Sequence, residues 1–463
     1  MNTQRAHNQA LKSLLAEAGW TQEALARSVN LTGREIGLDL KYDRTAVAHW
    51  LAGARPRPPV TVLLAETFTR RLRRPVTPFM LGLASSPAHD GPTTHDGSTT
   101  HDEATAAEAL SELSTAELDP RRRESLAQDP YHVPRIGAFD PLGPLGKTDG
   151  GTRQADDKGG QRVGTSHVLA LRTAVDSFAV LVDSIGGSHG RTALAALLAD
   201  AVSTWLRARS TAAIQAQLFT SAAHLALLLA RMHLDTQAQG LAQRYLATSL
   251  RLAVEADDRS TSAIALRMMS AQAHGLGHHP EALDLAQSAA RTASAAPAPV
   301  HAYVLAQLAV AQAAGKDRNH ALASLRKAER LAEPTGSPPG PFNSYPPSAL
   351  AYQQAETLGQ LGDHRAAVTA LTTSAGHRPP NELRARALTR AQLAQKHLHL
   401  GHLDASCDTW QLFLDDYPHL GSGKADDALR TLRRQLAPHR RYPPAEVILT
   451  RAYTLTSRRV DRV

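Results

Sequence analysis

The feature that most restricts how this chain can fold is a short pattern that returns along its second half. Aligned on Gly277-x-x-x-Glu281-Ala282, it recurs at Gly362-x-x-x-Ala366-Ala367 and Gly401-x-x-x-Ala405-Ser406. Weaker copies lie at His233 to Ala238 and, one residue longer, at Gly315 to Ala321. Seven residues before each anchor stands a small or apolar residue (Ala226, Ser270, Leu308, Ala355, Ala394), and Pro379 and Pro418 each follow an anchor by seventeen. Glycine ends helices because it enters the left-handed region without a steric penalty. Each copy therefore reads as a helix, a tight turn and a second helix, with the small residue where the two cross. A single such unit cannot bury its apolar stripe, so stacking on neighbours is obligatory.

Composition agrees with packed helices. Hydrophobic residues make up 42% but aromatics only 4%, and cores dense in Ala and Leu are those of closely approaching helices. The expected fold is all-α, with almost no sheet. Before the repeats, Leu171, Val175, Phe178, Val182 and Ile185 form one stripe and Leu194, Leu197, Leu198, Ala201, Val202, Trp205 and Leu206 another, separated by Gly186-Gly187-Ser188-His189-Gly190. This is a helical hairpin over 166–209. The array follows over 210–420, and helices over 421–463, with Val447, Ile448, Arg451, Ala452 and Leu455 on one face, cap it.

The amino-terminal 84 residues read differently. Asp43 is a good N-cap for Arg44-Thr45-Ala46-Val47-Ala48-His49-Trp50-Leu51, and Gly53 stops that helix. Val47, Trp50 and Leu51 share one apolar stripe, while Thr45 and His49, flanked by Arg44 and Ala48, occupy the opposite face. Leu11, Leu14, Leu15 and Ala18 predict a preceding helix, Thr21-Gln22-Glu23 opens a second, and Leu63, Leu64, Thr67, Phe68 and Leu72 mark a fourth. Thr77-Pro78 opens a short fifth. Residues 1–85 carry twelve basic and six acidic side chains. That excess suits contact with a phosphate backbone, by Arg55, Arg57, Arg70 and Arg71.

Between the two parts, 85–165 is rich in Pro, Gly, Ser and Thr and is expected to be a mostly disordered linker, interrupted by a possible short helix from Glu103 to about Glu124. Its His89-Asp90, His95-Asp96 and His101-Asp102 pairs are readable as divalent-metal ligands or as a slipped-codon expansion. No metal or cofactor is assigned.

Catalytic chemistry finds no foothold. There is no phosphate-binding glycine loop, zinc-protease helix or nucleophile elbow, and no catalytic residues are assigned. Cys407 is the only cysteine, which excludes an intrachain disulfide. With no signal peptide and no apolar run near the roughly 20 residues that span a bilayer, a cytoplasmic protein without a membrane partner is expected.

Thr21-Gln22-Glu23-x-Leu25-Ala26 together with Val47-x-x-Trp50-x-x-Gly53-x-Arg55 resembles the Cro/XRE class of helix-turn-helix domains over residues 7–83, although residues 30–42 lengthen the connection well beyond a typical turn of about 3 to 4 residues. The repeats resemble a degenerate tetratricopeptide array. Several stretches point to the NsdA-like group of actinobacterial regulators: Tyr42 to Pro59, Leu118-Asp119-Pro120-Arg121-Arg122-Arg123-Glu124, Gly186-Gly187-x-His189-x-Arg191 and Gly240-Leu241-Ala242-Gln243-Arg244-Tyr245. The resemblance implies a transcriptional regulator, often a repressor of differentiation or secondary metabolism, that is nucleoid-associated when bound to double-stranded DNA.

On that reading Arg44, Thr45, Ala48 and His49 face base edges, while Asp43, Val47, Trp50, Leu51 and Gly53 shape the helix. A homodimer on two half-sites is expected. The array geometry carries Thr220, Ile264, Arg267, His274, Gln312, Tyr352, Glu356 and Gln395 to a groove for a peptide, small-molecule or protein signal. The alternative is an interaction scaffold or peptide-sensing receptor whose head binds protein instead of DNA.

Overall fold

A computed structural model of the chain describes residues 7–83, 105–134, 162–332 and 341–460. Among the described residues every named element is a helix, and the β contact found is an isolated bridge between Arg162 and Arg209. The fold is all-α, with an amino-terminal helical domain and a repeat-like helical array. The His-Asp pairs lie outside the described residues.

Four helices build the amino-terminal domain, here the head: α1 (Gln9–Glu17), α2 (Gln22–Glu35), α3 (Arg44–Leu51) and α4 (Val60–Leu72). Each of the first three starts on a side chain that accepts a first-turn amide: Asn8 from Leu11 (2.9 Å), Thr21 from Ala24 (3.1 Å) and Asp43 from Ala46 (2.9 Å). Leu11, Leu25, Val29, Val47, Leu63, Leu64 and Phe68 meet in one core. The expected fifth helix is only a turn. Thr77 does accept from Met80 (3.3 Å), but Gly82 enters the left-handed region (φ 66°) and the chain closes through Leu83 N to Pro78 O.

The 30–42 stretch is part helix, part pinned loop. The second helix continues to Glu35, and the chain then folds back so that Leu40 lies where a Cβ on Gly33 would meet it at 2.5 Å. Asn30 fixes this return by bonding both the carbonyl (2.8 Å) and the amide (3.0 Å) of Tyr42.

The array consists of five helical hairpins: α10 (Ala212–Asp235) with α11 (Gln239–Glu255), α12 (Arg259–Gly275) with α13 (His279–Thr292), α14 (Ala298–Ala314) with α15 (Arg318–Leu331), α16 (Pro347–Gln360) with α17 (His364–Gly376), and α18 (Leu383–His399) with α19 (Leu403–Asp416). Four of the five repeat anchors, Gly277, Gly315, Gly362 and Gly401, fall at a hairpin turn, whereas His233 lies buried inside the last turn of α10, four residues before its own turn. Gly277, Gly362 and Gly401 take the left-handed turn position, which Gln237 and Lys316 fill in the two weaker copies. Ala226, Ser270, Leu308, Ala355 and Ala394 are all buried at the crossings. Serine hydroxyls staple four of the hairpins, Ser249 to Ala223 O (2.9 Å), Ser270 to Ala282 O (2.7 Å), Ser374 to Ser348 O (2.7 Å) and Ser406 to Ala394 O (2.9 Å).

The first helices of consecutive hairpins touch one another, α10 to α12 to α14 to α16, and so form the inner wall. The wall returns to its start. Two helical stretches precede it, α7 (Thr165–Ile185), and α8 (Arg191–Leu197) running through a π turn into α9 (Ser203–Arg207); two helices follow it, α20 (Gly423–Leu436) and α21 (Pro443–Val460). α18 packs on α7 as well as on α20. At the seam, backbone meets backbone: Ser188 N donates to Gly421 O (2.9 Å) and Gly421 N to Ile185 O (2.7 Å). The glycines make this approach possible, since a Cβ on Gly186 would stand 2.7 Å from Gly421 O and one on Gly187 2.5 Å from Met232 O. Asp235, fully buried, accepts from Arg384 (2.7 Å), Ser422 (2.8 Å) and Gly187 N (2.8 Å). The tail was expected to cap an open end; its first residues instead close the array on itself.

Residues 105–134, expected within a mostly disordered linker, are ordered against the array. α5 (Ala106–Leu118) opens with a capping box between Thr105 and Glu108, and α6 (Pro120–Ala127) follows it. Ala106, Leu110 and Leu113 enter the main array core, and the Tyr245 hydroxyl donates to Glu117 at 2.6 Å. Composition argued for disorder because the segment alone has nothing to bury against; the array supplies the missing surface. α10, by length and composition alone, is apolar enough to cross a membrane, contrary to the expectation that no run approaches that length; most of its apolar residues are buried in that core.

Removing the Asp235 carboxylate leaves Arg384 beside an empty buried position. Asp235→Ala is expected to cost about 3–5 kcal/mol and to speed amide exchange at Ser188 and Gly421, measured by hydrogen exchange with mass spectrometry.

Candidate functional site

The α3 surface divides as its sequence dictates. Val47 and Trp50 are buried, and Trp50 meets Tyr42 edge-on with ring centroids 5.0 Å apart. Arg44, Thr45 and His49 are exposed, and Ala48 is half-buried between them. The Asp43 carboxyl is held below the usual carboxylate range, chiefly by the Ala46 amide. Gly53 ends the helix with φ 94°, and Ala54 N returns to His49 O (2.9 Å). Leu51 is half-buried, its carbonyl accepting from Asn8 N. Arg55 and Arg57 leave the helix end exposed. A short helix thus presents a polar face of about two turns, with cations at its start and just beyond its end.

The other two predicted phosphate contacts are placed differently. Arg71 donates to Ala18 O (2.9 Å) and lies over the Trp20 ring, yet remains exposed. Arg70 is turned inward and is not available to a phosphate. Its guanidinium forks onto both oxygens of Glu35 (2.7 and 2.8 Å), and its Nε donates to Glu66 (2.7 Å) and Nη2 to Tyr131 O (2.5 Å). Planar, bidentate pairing is what a guanidinium does best, and the half-buried Glu35 with the buried Glu66 leave it no other role.

This arginine is the centre of a joint between head and array. Residues 129–134 form a strap between them. His132 Nδ1 lies 2.6 Å from the second oxygen of Glu66, and its backbone exchanges hydrogen bonds with the Gln243 side chain of α11 (2.9 and 2.5 Å). Tyr131 is buried against Ala273 and Ala282 and stacks on His278, whose Nε2 is 3.6 Å from Glu35. Gly240 lets the strap pass, because a Cβ there would stand 2.3 Å from Asp129 O. The head is therefore docked on α11 to α13, where a flexible tether had been expected.

Burial works against the His132 cation, but Asp129 and Glu66 outweigh it and raise its pKa to about 9. Glu35 and Glu66 also pay for burial, yet His278 and Arg70 lower the first, and His132 and Arg70 the second.

The predicted groove residues all lie on first helices, but they separate. Ile264 is 2% exposed and belongs to the apolar core, so it is not a groove residue. Thr220 donates to Asp258, the N-cap of α12 (3.0 Å), and Gln312 accepts from Ser324 within its own hairpin (2.8 Å). His274 and Gln395 are half-buried, the former beside His279 at a turn. Arg267, Tyr352 and Glu356 stand on the inner wall. Arg231 and Tyr303 join them there from α10 and α14, Tyr345 meets Tyr303 from the segment before α16, and Arg384 and Lys424 stand beside Asp235 and its neighbours at the seam; none of the five was singled out from sequence, because no single repeat copy carries them.

With this geometry in place, comparison with known proteins adds one family. Residues 11–84 match the family model described as the SP15 N-terminal domain, a span confined to the head. No curated protein matches the chain.

The joint has a definite pH window. The stabilisation from His132 is complete below its unfolded value of about 6.5 and is lost as pH rises through about 9; that from the two glutamates is present above about 4.5 and lost as pH falls through their lowered values. Docking, followed by energy transfer between dyes on head and array, is expected to be firmest near pH 5 to 6.5 and released above about 9. His132→Gln should abolish the alkaline limb.

Proposed function

We propose that the protein is a DNA-binding regulator: α3 of the head enters a major groove, and the array behind it receives the controlling signal. The observation that carries this reading is the division of α3, whose apolar side is consumed by the head core while Arg44, Thr45 and His49 face solvent with Ala48 between them. Hydrogen-bonding side chains at that spacing read base edges, and Arg55, Arg57 and Arg71 supply backbone contacts that fix register. Arg70 takes no part, being held within the joint. The likeness to Cro/XRE regulators supports the same reading, with a homodimer on two half-sites. The sign of regulation in that group is often repression.

A second reading, in which the head is a protein-binding module, draws on Leu31, Phe79 and Met80, which are exposed on the same domain. Genome-wide binding separates the two, since a protein-binding head enriches no sequence motif.

In gel-shift titrations the combined Arg44→Ala, Thr45→Ala and His49→Ala variant should lose preference for its operator by about 10- to 1000-fold. Arg57→Ala should weaken specific and non-specific DNA alike and lower the salt slope by about one. Unchanged preference in the triple variant removes α3 as the reading element.

A further inference from the structure

The inner wall of the array carries one buried cation, Arg267, that the described residues do not neutralise. Three interior arginines each have an acid: Arg231 with Asp183 (2.5 Å), Arg384 with Asp235 (2.7 Å) and Arg378 with Glu382 (2.8 Å). Arg267 has none. It is 8% exposed, its Nε lacks a hydrogen-bond partner, and its guanidinium lies 4.0 Å over the Tyr303 ring. Tyr303 in turn meets Tyr345 edge-on at 5.3 Å. A buried charge without an acid is costly, and a cation–π contact recovers only part of that cost.

Register places two of these groups alike. Arg267 and Tyr352 stand the same ten residues before the turn glycines Gly277 and Gly362, so both project from the wall in the same sense. Lys424 follows Gly423, which abuts Asp235 and Thr236 at the seam; burial and the nearby Arg384 lower its pKa to about 8. Arg231 links the two regions, with both Tyr303 and Asp235 in its electrostatic surroundings. Arg231, Tyr303, Tyr352 and Lys424 keep partial solvent exposure although helices close around them.

We infer that these groups line a lumen inside the closed array that binds a small planar organic acid, its carboxylate or phosphate held by Arg267 and its ring lying along Tyr303 and Tyr345, with Lys424 at the seam as a second cation. The inference rests on the proposed role of the array as the signal-receiving half, and it names the chemistry of that signal. Neutral analogues leave Arg267 unpaired and gain only the aromatic contact.

The test is calorimetric titration of the full chain, without DNA, with 1-naphthoate, 1-naphthyl phosphate and 1-naphthamide. Saturable binding of at least one of the two acids is expected, with the amide at least tenfold weaker, and the preferred acid tells carboxylate from phosphate. Arg267→Gln should weaken that acid at least tenfold while Arg267→Lys retains most of the affinity; helical circular dichroism checks that both variants fold, and Lys424→Ala, with an expected loss of about threefold or more, serves if Arg267→Gln does not. No saturable binding of either acid, equal binding of the amide, or equal affinity in the folded variants overturns the inference. A protein that binds the acid but shows no operator preference fails the DNA reading alone.

Discussion

The placement of the head depends on one arginine that satisfies two carboxylates at once, Glu66 buried and Glu35 half-buried. Glu35 ends α2 and Glu66 sits in α4, and neither tolerates burial unless Arg70 lies between them. Because the same guanidinium donates to Tyr131 O and Glu66 also holds His132, the charges that complete the head are the charges that fasten it to the strap. Fold stability and docking share these groups, so neither can be altered at Arg70 without touching the other.

That coupling sets the geometry in which α3 is presented. Its polar face is exposed in the docked arrangement, and the head sits against α11, α12 and α13 instead of swinging from a tether. The inner wall that carries Arg267 belongs to α12, whose other surroundings include Ala273 in contact with Tyr131. One helix therefore touches both the proposed signal chamber and the joint. A shift in α12 reaches the strap through a single layer of side chains.

Much of this was legible in the sequence where the physics is local. The N-caps Thr21 and Asp43, the stop at Gly53 and the four glycine turn anchors depend only on neighbouring residues, and the structure places each in the expected role; His233, the anchor without a glycine, lies inside α10 instead. The buried crossings at Ala226, Ser270, Leu308, Ala355 and Ala394 followed from size alone. What escaped depends on partners distant in the chain. Arg70 looks like any exposed arginine until Glu35 and Tyr131 are beside it, and a Pro- and Gly-bounded segment gives no sign that Tyr131 has a slot in the array. Ile264 shows the converse, since alignment to a groove position cannot distinguish a wall residue from one turned into the core. The fifth head helix failed because Gly82 stops it after one turn, a signal that was present and outweighed by Thr77-Pro78.

The backbone seam between Ser188 and Gly421 has a consequence for how such a chain can change. A linear solenoid accepts one unit more or fewer, because each repeat answers only to its neighbours. Here the fifth hairpin must arrive beside α7, so the number of units is fixed by closure, and a duplicated or deleted repeat leaves glycine facing nothing. Variation is then confined to what the units carry, which leaves the inward-facing side chains as the surface on which related chains can diverge.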